Sequence, residues 1–391
     1  MELTFDGIRL NSPFYNETHK DWKNKILRPF LDKEIIPNID QWEKDGDIPL
    51  EYYKKAGEIG LFQLGYPEEY GGVSEGIDIF HTLITAEELA RPGAGGFGAA
   101  FTVHSIALPP ILNFGSDEMK KRVAPDVIKG THHISLAITE PSGGSDVSNI
   151  KTTAKREGDH FVINGSKTFI TGGLKANWFT TAVRTGGDGI GGVSLILIPA
   201  DAKGVSRTSV GPKQGWLCSD TATIYFDNVK VPADQIIGKE NQGFKIIVNN
   251  FNNERIGMAA AAVGYALAAF EEAASWAKLR KTFGKNLSQH QVIQHKFAEM
   301  YRRINSTAAY LEICAWNIQN GSSEAADISL LKVQATKMLE LVAREAMQIM
   351  GGISYIRECK TERIYREVRV MAIGGGSEEI MMDLAARRMG L

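Results

Sequence analysis

Cysteine is scarce in this chain: Cys218, Cys314 and Cys359 are the only three in 391 residues, odd in number and far apart, with neither metal-ligand nor redox spacing. They read as reduced, packed thiols. The eight histidines show no ligand spacing with carboxylates or cysteines, so no metal site is expected. A basic excess is also missing, since 44 lysines and arginines face 46 aspartates and glutamates for a net charge of −2. Nucleic acid is therefore not an expected partner. A membrane span is not expected either. The most apolar stretch, Ile256 to Phe270, is bracketed by Glu254, Arg255, Glu271 and Glu272 and falls short of the roughly 20 residues a bilayer requires. It reads as a buried helix. The opening "MELTFDGIRLNSPFYNE" has no apolar signal core and no Arg/Ser-rich amphipathic pattern, and a cytoplasmic location is the expectation.

What is present is an ordinary globular composition, 43% hydrophobic and 23% charged, long enough for two or three domains. Apolar residues recur at three and four spacing through "YNETHKDWKNKILRPFLDKEIIPNIDQWEK" and "GIDIFHTLITAEELARPG", which predicts a helical domain over 1–131. The period falls to two in "HISLAITEP", "DHFVINGSKTFITGG", "ANWFTTAVRT", "GVSLILIPA" and "TATIYFDNVKVP", with His132 and His133 on opposite faces of a strand and Asn164-Gly165 as a two-residue hairpin signal. Residues 132–236 are thus expected to form an antiparallel β domain. Helical periodicity then holds over 237–391, broken by the stop signal Gly351-Gly352. The fold class is α+β: an N-terminal helical domain, a middle antiparallel β domain and a C-terminal four-helix bundle.

A G-x-G-x-x-G match at Gly187, Gly189 and Gly192 lies between two strands with no helix after it, and so reads as a hairpin loop rather than a dinucleotide fingerprint. More informative is "LAITEPSGGSDVSNIKTTAKREGDHFVINGSKTFITGG", Leu136 to Gly173. Locally it offers a turn rich in backbone N–H groups and hydroxyls, suited to an anionic or carbonyl-rich ligand.

That stretch resembles the signature of the acyl-CoA dehydrogenase family, T-E-P-small-Gly-Ser-Asp followed by N-G-x-K-x-x-I-T. Three further segments, "SVGPKQGWLCSDTATIYFDNVKVPADQIIGKENQGF", "LRKTFGKNLSQHQVIQHKFAEM" and "MQIMGGISYIRECKTERIYREVRVMAIGGGSEEI", are similar to the family in the same order along nearly the whole chain. The resemblance implies a flavoprotein that binds FAD and an acyl-CoA and passes electrons to an electron-transfer flavoprotein. By position, Leu136, Ile138, Thr139 and Ser145 would line the flavin and its pyrophosphate, with Phe169 and Thr171 beside the isoalloxazine ring and Ser377 and Glu379 as further cofactor contacts. The family usually carries an aromatic residue at position 136 and tryptophan at 169, and this chain departs from both. Arg280, Phe283, Gln291, Gln348, Gly351 and Gly352 would reach the FAD of a neighbouring subunit, which implies a homotetramer built as a dimer of dimers.

The family's reaction removes a proton from the carbon beside a CoA thioester while a hydride leaves the next carbon for flavin N5. It needs a placed carboxylate and donors on the thioester oxygen. Many members take the carboxylate from an E-G-T motif, but alignment of "IGGGSEEI" puts Gly375 at that position, followed by Gly376 and Ser377. Glu378 and Glu379 fall in a first helical turn, where acidic residues favour the helix N-terminus. The isovaleryl-CoA and long-chain branches resemble this chain in pairing a loop glycine with a glutamate just before an arginine, here Glu254 and Arg255. The resemblance therefore implies Glu254 as base, the Gly375 N–H and a ribityl hydroxyl as donors to the thioester oxygen, and Ser145, Asn252, Arg255 and Gly376 as substrate contacts. Small residues in "RPGAGGFGAAF" and "MAAAAVG", with empty volume at Gly375, favour a wide pocket for a long or branched acyl chain. An oxygen-using acyl-CoA oxidase, a flavin monooxygenase of the same fold and a nucleic-acid-binding relative are the alternatives.

Overall fold

A computed structural model describes residues 2–322 and 324–391. The N-terminal part is helical as expected, and α1 (Ile79–Ala90) is its central element. Asp78 caps α1 by accepting from the amides of Phe80 and His81, two of the donors that a helix start leaves unpaired. Leu27, Leu31, Trp42, Tyr53, Phe62, Phe97 and Phe101 form the buried cluster of this region.

Among the described residues eight strands form one sheet: β1 (Ile134–Ala137), β2 (Thr153–Glu157), β3 (His160–Thr171), β4 (Trp178–Arg184), β5 (Val193–Pro199), β6 (Val205–Ser209), β7 (Thr221–Pro232) and β8 (Ile236–Ile237). The order is β6-β7-β3-β2-β4-β5-β8, with β1 on β4. The sheet is mixed, which corrects the antiparallel expectation: β1 runs parallel to β4, and β2 meets β4 in parallel at Thr153 and Arg184. The reason is the connection. After β1 the chain makes a long excursion through β2 and β3 and comes back beside its own start, where the Asn177 amide donates to His133 O at 2.8 Å and Asn177 Oδ1 accepts from the His133 amide. A return to the same end sets the strand parallel. His132 and His133 precede β1 rather than alternate within it.

Asn164-Gly165 is likewise not a hairpin. β3 runs straight through it with a register shift against β7, and the β2–β3 turn is made by Gly158 and Asp159. Gly165 has φ +144°, and a β-carbon there would stand 2.6 Å from Thr152 Oγ1. The glycine marks a bulge and a close approach, the other meaning such a residue carries inside a strand. Gly187–Gly192 does form the loop between β4 and β5.

The C-terminal part comprises α2 (Gly243–Leu279), α3 (Gln291–Gln319), α4 (Ala325–Met350), α5 (Lys360–Ile373) and α6 (Glu378–Arg388). By length and composition α2 is apolar enough to cross a membrane, yet its apolar window is mostly buried inside the fold. It is the axis of the largest core cluster, with Ala259, Val263, Ala266, Phe270 and Ala273 against Leu311, Leu331, Leu339 and Val342. The small side chains serve close packing: a β-carbon on Gly264 would lie 2.4 Å from Glu87 O and 2.8 Å from Ala90 Cβ. Helical propensity alone would make Gly264→Ala stabilising by ~1 kcal/mol. Collision with the α1 backbone outweighs it, and we expect a loss of about 1–3 kcal/mol in chemical denaturation at constant m-value.

Candidate active site

The turn after β1 is built on a buried ion pair. Lys167 Nζ donates to Glu140 Oε1 at 2.8 Å and to Ile138 O at 3.0 Å, and the Glu140 carboxylate also accepts from the amides of Lys151 and Thr152. Burial pushes the Glu140 pKa up, but the Lys167 charge and these donors outweigh it and hold it below the ordinary range. Burial pushes Lys167 down to about 8, so the pair stays charged at neutral pH. A buried pair is tolerable only when its remaining hydrogen-bonding positions are filled, as here. The anchored turn projects Ser142–Asp146 outward, and among the described residues the amides of Ser142, Gly144 and Ser145 find no acceptor in the chain. Free amides beside an exposed Ser145 suit an anionic group such as a pyrophosphate.

Beside this turn, the Thr168 amide donates to Thr139 O at 2.9 Å, which brings Thr139 and β3 together, while Ser135 Oγ donates to Thr171 O. Phe169 lies on a second bulge with φ +58°, a left-handed conformation that a bulky residue seldom adopts, and 65% of its surface is open. The ring is exposed, while Leu136, Thr139 and Thr171 are half-buried and Ile138 is buried. An exposed apolar ring beside unpaired amides fits a planar, phosphate-bearing flavin. Arg280, the hairpin-tip Phe283, Gln291, Gln348, Gly351 and Gly352 are all exposed. Phe283 is 98% open and takes φ +48°, and nothing in the chain lies within 4 Å of a β-carbon built on Gly351 or Gly352. None of the six is packed into the core of its own chain.

Glu254 stands on α2 just after Phe244, Ile247 and Phe251, residues that pack with Leu136 and Ile138 in one apolar cluster. That cluster brings this part of α2 against the β1 exit. Arg255, nearly fully buried, donates through Nε to Gly375 O at 3.2 Å and through Nη1 to Asn252 Oδ1, with its guanidinium over the Phe251 ring. A β-carbon on Gly375 would lie 3.7 Å from Glu254 Oε1. The helix glutamate thus reaches the volume a side chain at 375 would occupy, although the two positions are far apart in the sequence. Desolvation raises the Glu254 pKa to about 7 against the opposing pull of Arg255 and Lys332. The amides of Gly375 and Gly376 find no acceptor among the described residues. Ser377 caps α6 by accepting from the Ile380 amide, Glu378 accepts from Thr336 Oγ1, and Glu379 faces solvent.

Two expectations about volume fail. The space beside Gly375 is filled by Met258, whose Sδ would lie 2.7 Å from a β-carbon there. The small residues of 91–101 likewise line contacts, with Gly95 and Gly96 closed over by Trp216 and Cys218, so they are no argument for a wide pocket. Two residues escaped the sequence reading. Met258 is one, and Lys332, fully buried on α4 with hydrogen bonds to Ala372 O and Gly376 O, is the other. The available signal for Lys332 was its phase, four residues from Ile328 and three from Ala335 on the apolar stripe.

Gly375 has φ +68°, so an added side chain meets both backbone strain and Met258. We expect Gly375→Ala to lower stability by about 2–4 kcal/mol, with Met258→Ala in the same chain relieving only the steric share, as read from a double-mutant cycle in denaturant.

Three family models cover the chain in order: the acyl-CoA dehydrogenase N-terminal domain over residues 16–131, the middle domain over 135–229 and the C-terminal domain over 241–390. The acyl-CoA dehydrogenase AFT10-1 of Alternaria alternata is 37% identical over 95% of this chain and 91% of its own length. The long-chain specific acyl-CoA dehydrogenase, mitochondrial, of Mus musculus is 33% identical over 99% of this chain and 89% of its own length. The crystal structure of a probable acyl-CoA dehydrogenase from Mycobacterium abscessus superposes with a TM-score of 0.93 at 42% identity, covering 96% of this chain and all of that one. A helical domain, a mixed sheet and a helical bundle, matched in order by the three family models, have one explanation: the chain belongs to the acyl-CoA dehydrogenase family of flavoprotein oxidoreductases.

Proposed function

We propose that this acyl-CoA dehydrogenase binds FAD and converts an acyl-CoA to the trans-2-enoyl-CoA with Glu254 as the base that takes the α-proton. The observation that carries the reading is the approach of the Glu254 carboxylate to the Gly375 loop, where other members place their base. When bound, FAD supplies the hydride acceptor for the β-carbon. The chain does the rest. The unpaired Gly375 amide donates to the thioester oxygen, where negative charge develops as the α-proton leaves. Glu254, with a pKa near 7, keeps enough basicity for a weakly acidic C–H and is still substantially ionised at neutral pH. Arg255, steadied by Asn252 Oδ1, holds the loop and balances the charge, with Asn252 beside it as a substrate contact. Ser145 and Gly376 complete the substrate contacts, and Leu136, Ile138, Thr139, Phe169, Thr171, Ser377 and Glu379 those to the cofactor. A long-chain or branched acyl group is the substrate class we favour, supported by the glycine–glutamate pairing and by likeness to the long-chain mouse enzyme. An electron-transfer flavoprotein is the proposed acceptor. The exposed set from Arg280 to Gly352 is proposed to complete the flavin site of a partner in a homotetramer.

Anaerobic mixing with an acyl-CoA panel should bleach the flavin of the wild-type protein, and Glu254→Gln should slow bleaching by at least about a thousandfold with flavin retained. Bleaching should rise with pH and level off above about 7. Near wild-type bleaching by Glu254→Gln contradicts the assignment. Stability gives an independent check. The carboxyl titrates near 4.5 unfolded and near 7 folded, so the folded state holds the proton more tightly and loses stability as pH rises through that window. Glu254→Gln should therefore melt higher than wild type at pH 8.5 and about equally at pH 4.

A further inference from the structure

Lys332 is a cation in the wrong place for a structural lysine. Its side chain is fully buried on α4, and its ammonium donates to Ala372 O at 3.0 Å and Gly376 O at 2.7 Å, the last turn of α5 and the far side of the glycine loop. Arg255 grips the same loop from α2 through Gly375 O. Two cations from two helices thus hold two consecutive elements, the end of α5 and the glycine loop. The charges that act on Lys332 come from every helix packed there, Glu254 and Arg255 on α2, Arg369 on α5 and Glu378 on α6. Glu378, which also lies near Lys337 and Thr336, is the strongest of these charges on Lys332. Glu254, in contrast, has no hydrogen-bond partner within the described residues and meets Lys332 only through its field. A lysine that only neutralised the last carbonyls of α5 would act equally well half-exposed at the helix end. Burying it entirely is costly unless the charge is used.

We propose that Lys332 is a positioning residue for proton abstraction: its ammonium fixes the carbonyl of Gly376, as Arg255 fixes that of Gly375, so that the glycine loop keeps its place beside Glu254, and its charge favours the ionised form of that carboxylate. The inference rests on Glu254 being the base. The clamp and the field are separate tasks, and only the field reaches Glu254. A lysine with a purely structural role would leave the titration of that carboxyl where it is.

The test reads Glu254 directly, by pH-difference infrared spectroscopy of the carboxylic-acid C=O stretch on flavin-loaded protein, with Glu254→Gln as the blank. Two variants are compared with wild type, Lys332→Met, which removes charge and donors, and Lys332→Gln, which removes the charge and keeps an N–H donor. We expect the midpoint of the Glu254 band to rise by about one pH unit in both, tenfold in proton affinity. Flavin reduction by an acyl-CoA at pH 7 should fall in parallel and recover above about pH 9. An unmoved midpoint overturns the proposal, whatever happens to the rate. Failure of both variants to fold with flavin overturns it too, assigning the lysine to folding alone. Should Glu254→Gln itself still reduce flavin normally, the base assignment fails independently of the infrared result.

Discussion

The Arg255 guanidinium is the contact on which the site depends. It belongs to the long helix at the centre of the bundle, yet it bonds to the carbonyl of Gly375, on a loop 120 residues later. Stacked over Phe251 and nearly excluded from solvent, it makes a buried charge that must be answered locally. The answer comes from the Gly375 carbonyl, the Asn252 amide oxygen and the adjacent Glu254 carboxylate. Together with the Lys332 bond to Gly376 O, that grip sets the distance of the glycine loop from Glu254, on which the proposed replacement of a loop carboxylate by a helix carboxylate depends.

Other buried charges sit at junctions in the same way. Glu140 and Lys167 fix the turn that offers free amides beside Phe169. Glu367 on α5 accepts the amides of Gly95 and Trp216, both at 2.6 Å, joining the bundle to the helical domain and to the loop before β7. Burial, reinforced by Glu43, pushes its pKa up to about 7. The apolar clusters give each layer its mass, but these polar contacts fix where the layers sit relative to the flavin surface. That division is expected, since apolar contacts are non-directional and charge-assisted hydrogen bonds are not.

Much of this was legible in the chain itself. Three and four spacing marked the helices, and alternation marked β4 and β7, whose inward residues form the sheet core. The family resemblance paired Gly375 with Glu254, and the carboxylate does stand 3.7 Å from a β-carbon built on Gly375. Three features were not legible. The parallel placement of β1 depends on where a long connection returns, which no local period encodes. Asn164-Gly165 has the composition of a hairpin turn, and only the crowding by Thr152 makes it a bulge. The glycines and alanines of 91–101 and 258–264 looked the same whether they lined a cavity or a helix contact, and tertiary approach decided for contact.

The central claim is that a carboxylate on α2 removes the α-proton. It is tested most directly with an acyl-CoA analogue bearing a heteroatom at the β position, so that proton removal is separated from hydride transfer. Exchange of its α-hydrogens with deuterated solvent, followed by NMR, should proceed on the wild-type protein and stop in Glu254→Gln while the analogue still binds. Undiminished exchange in that variant would contradict the account.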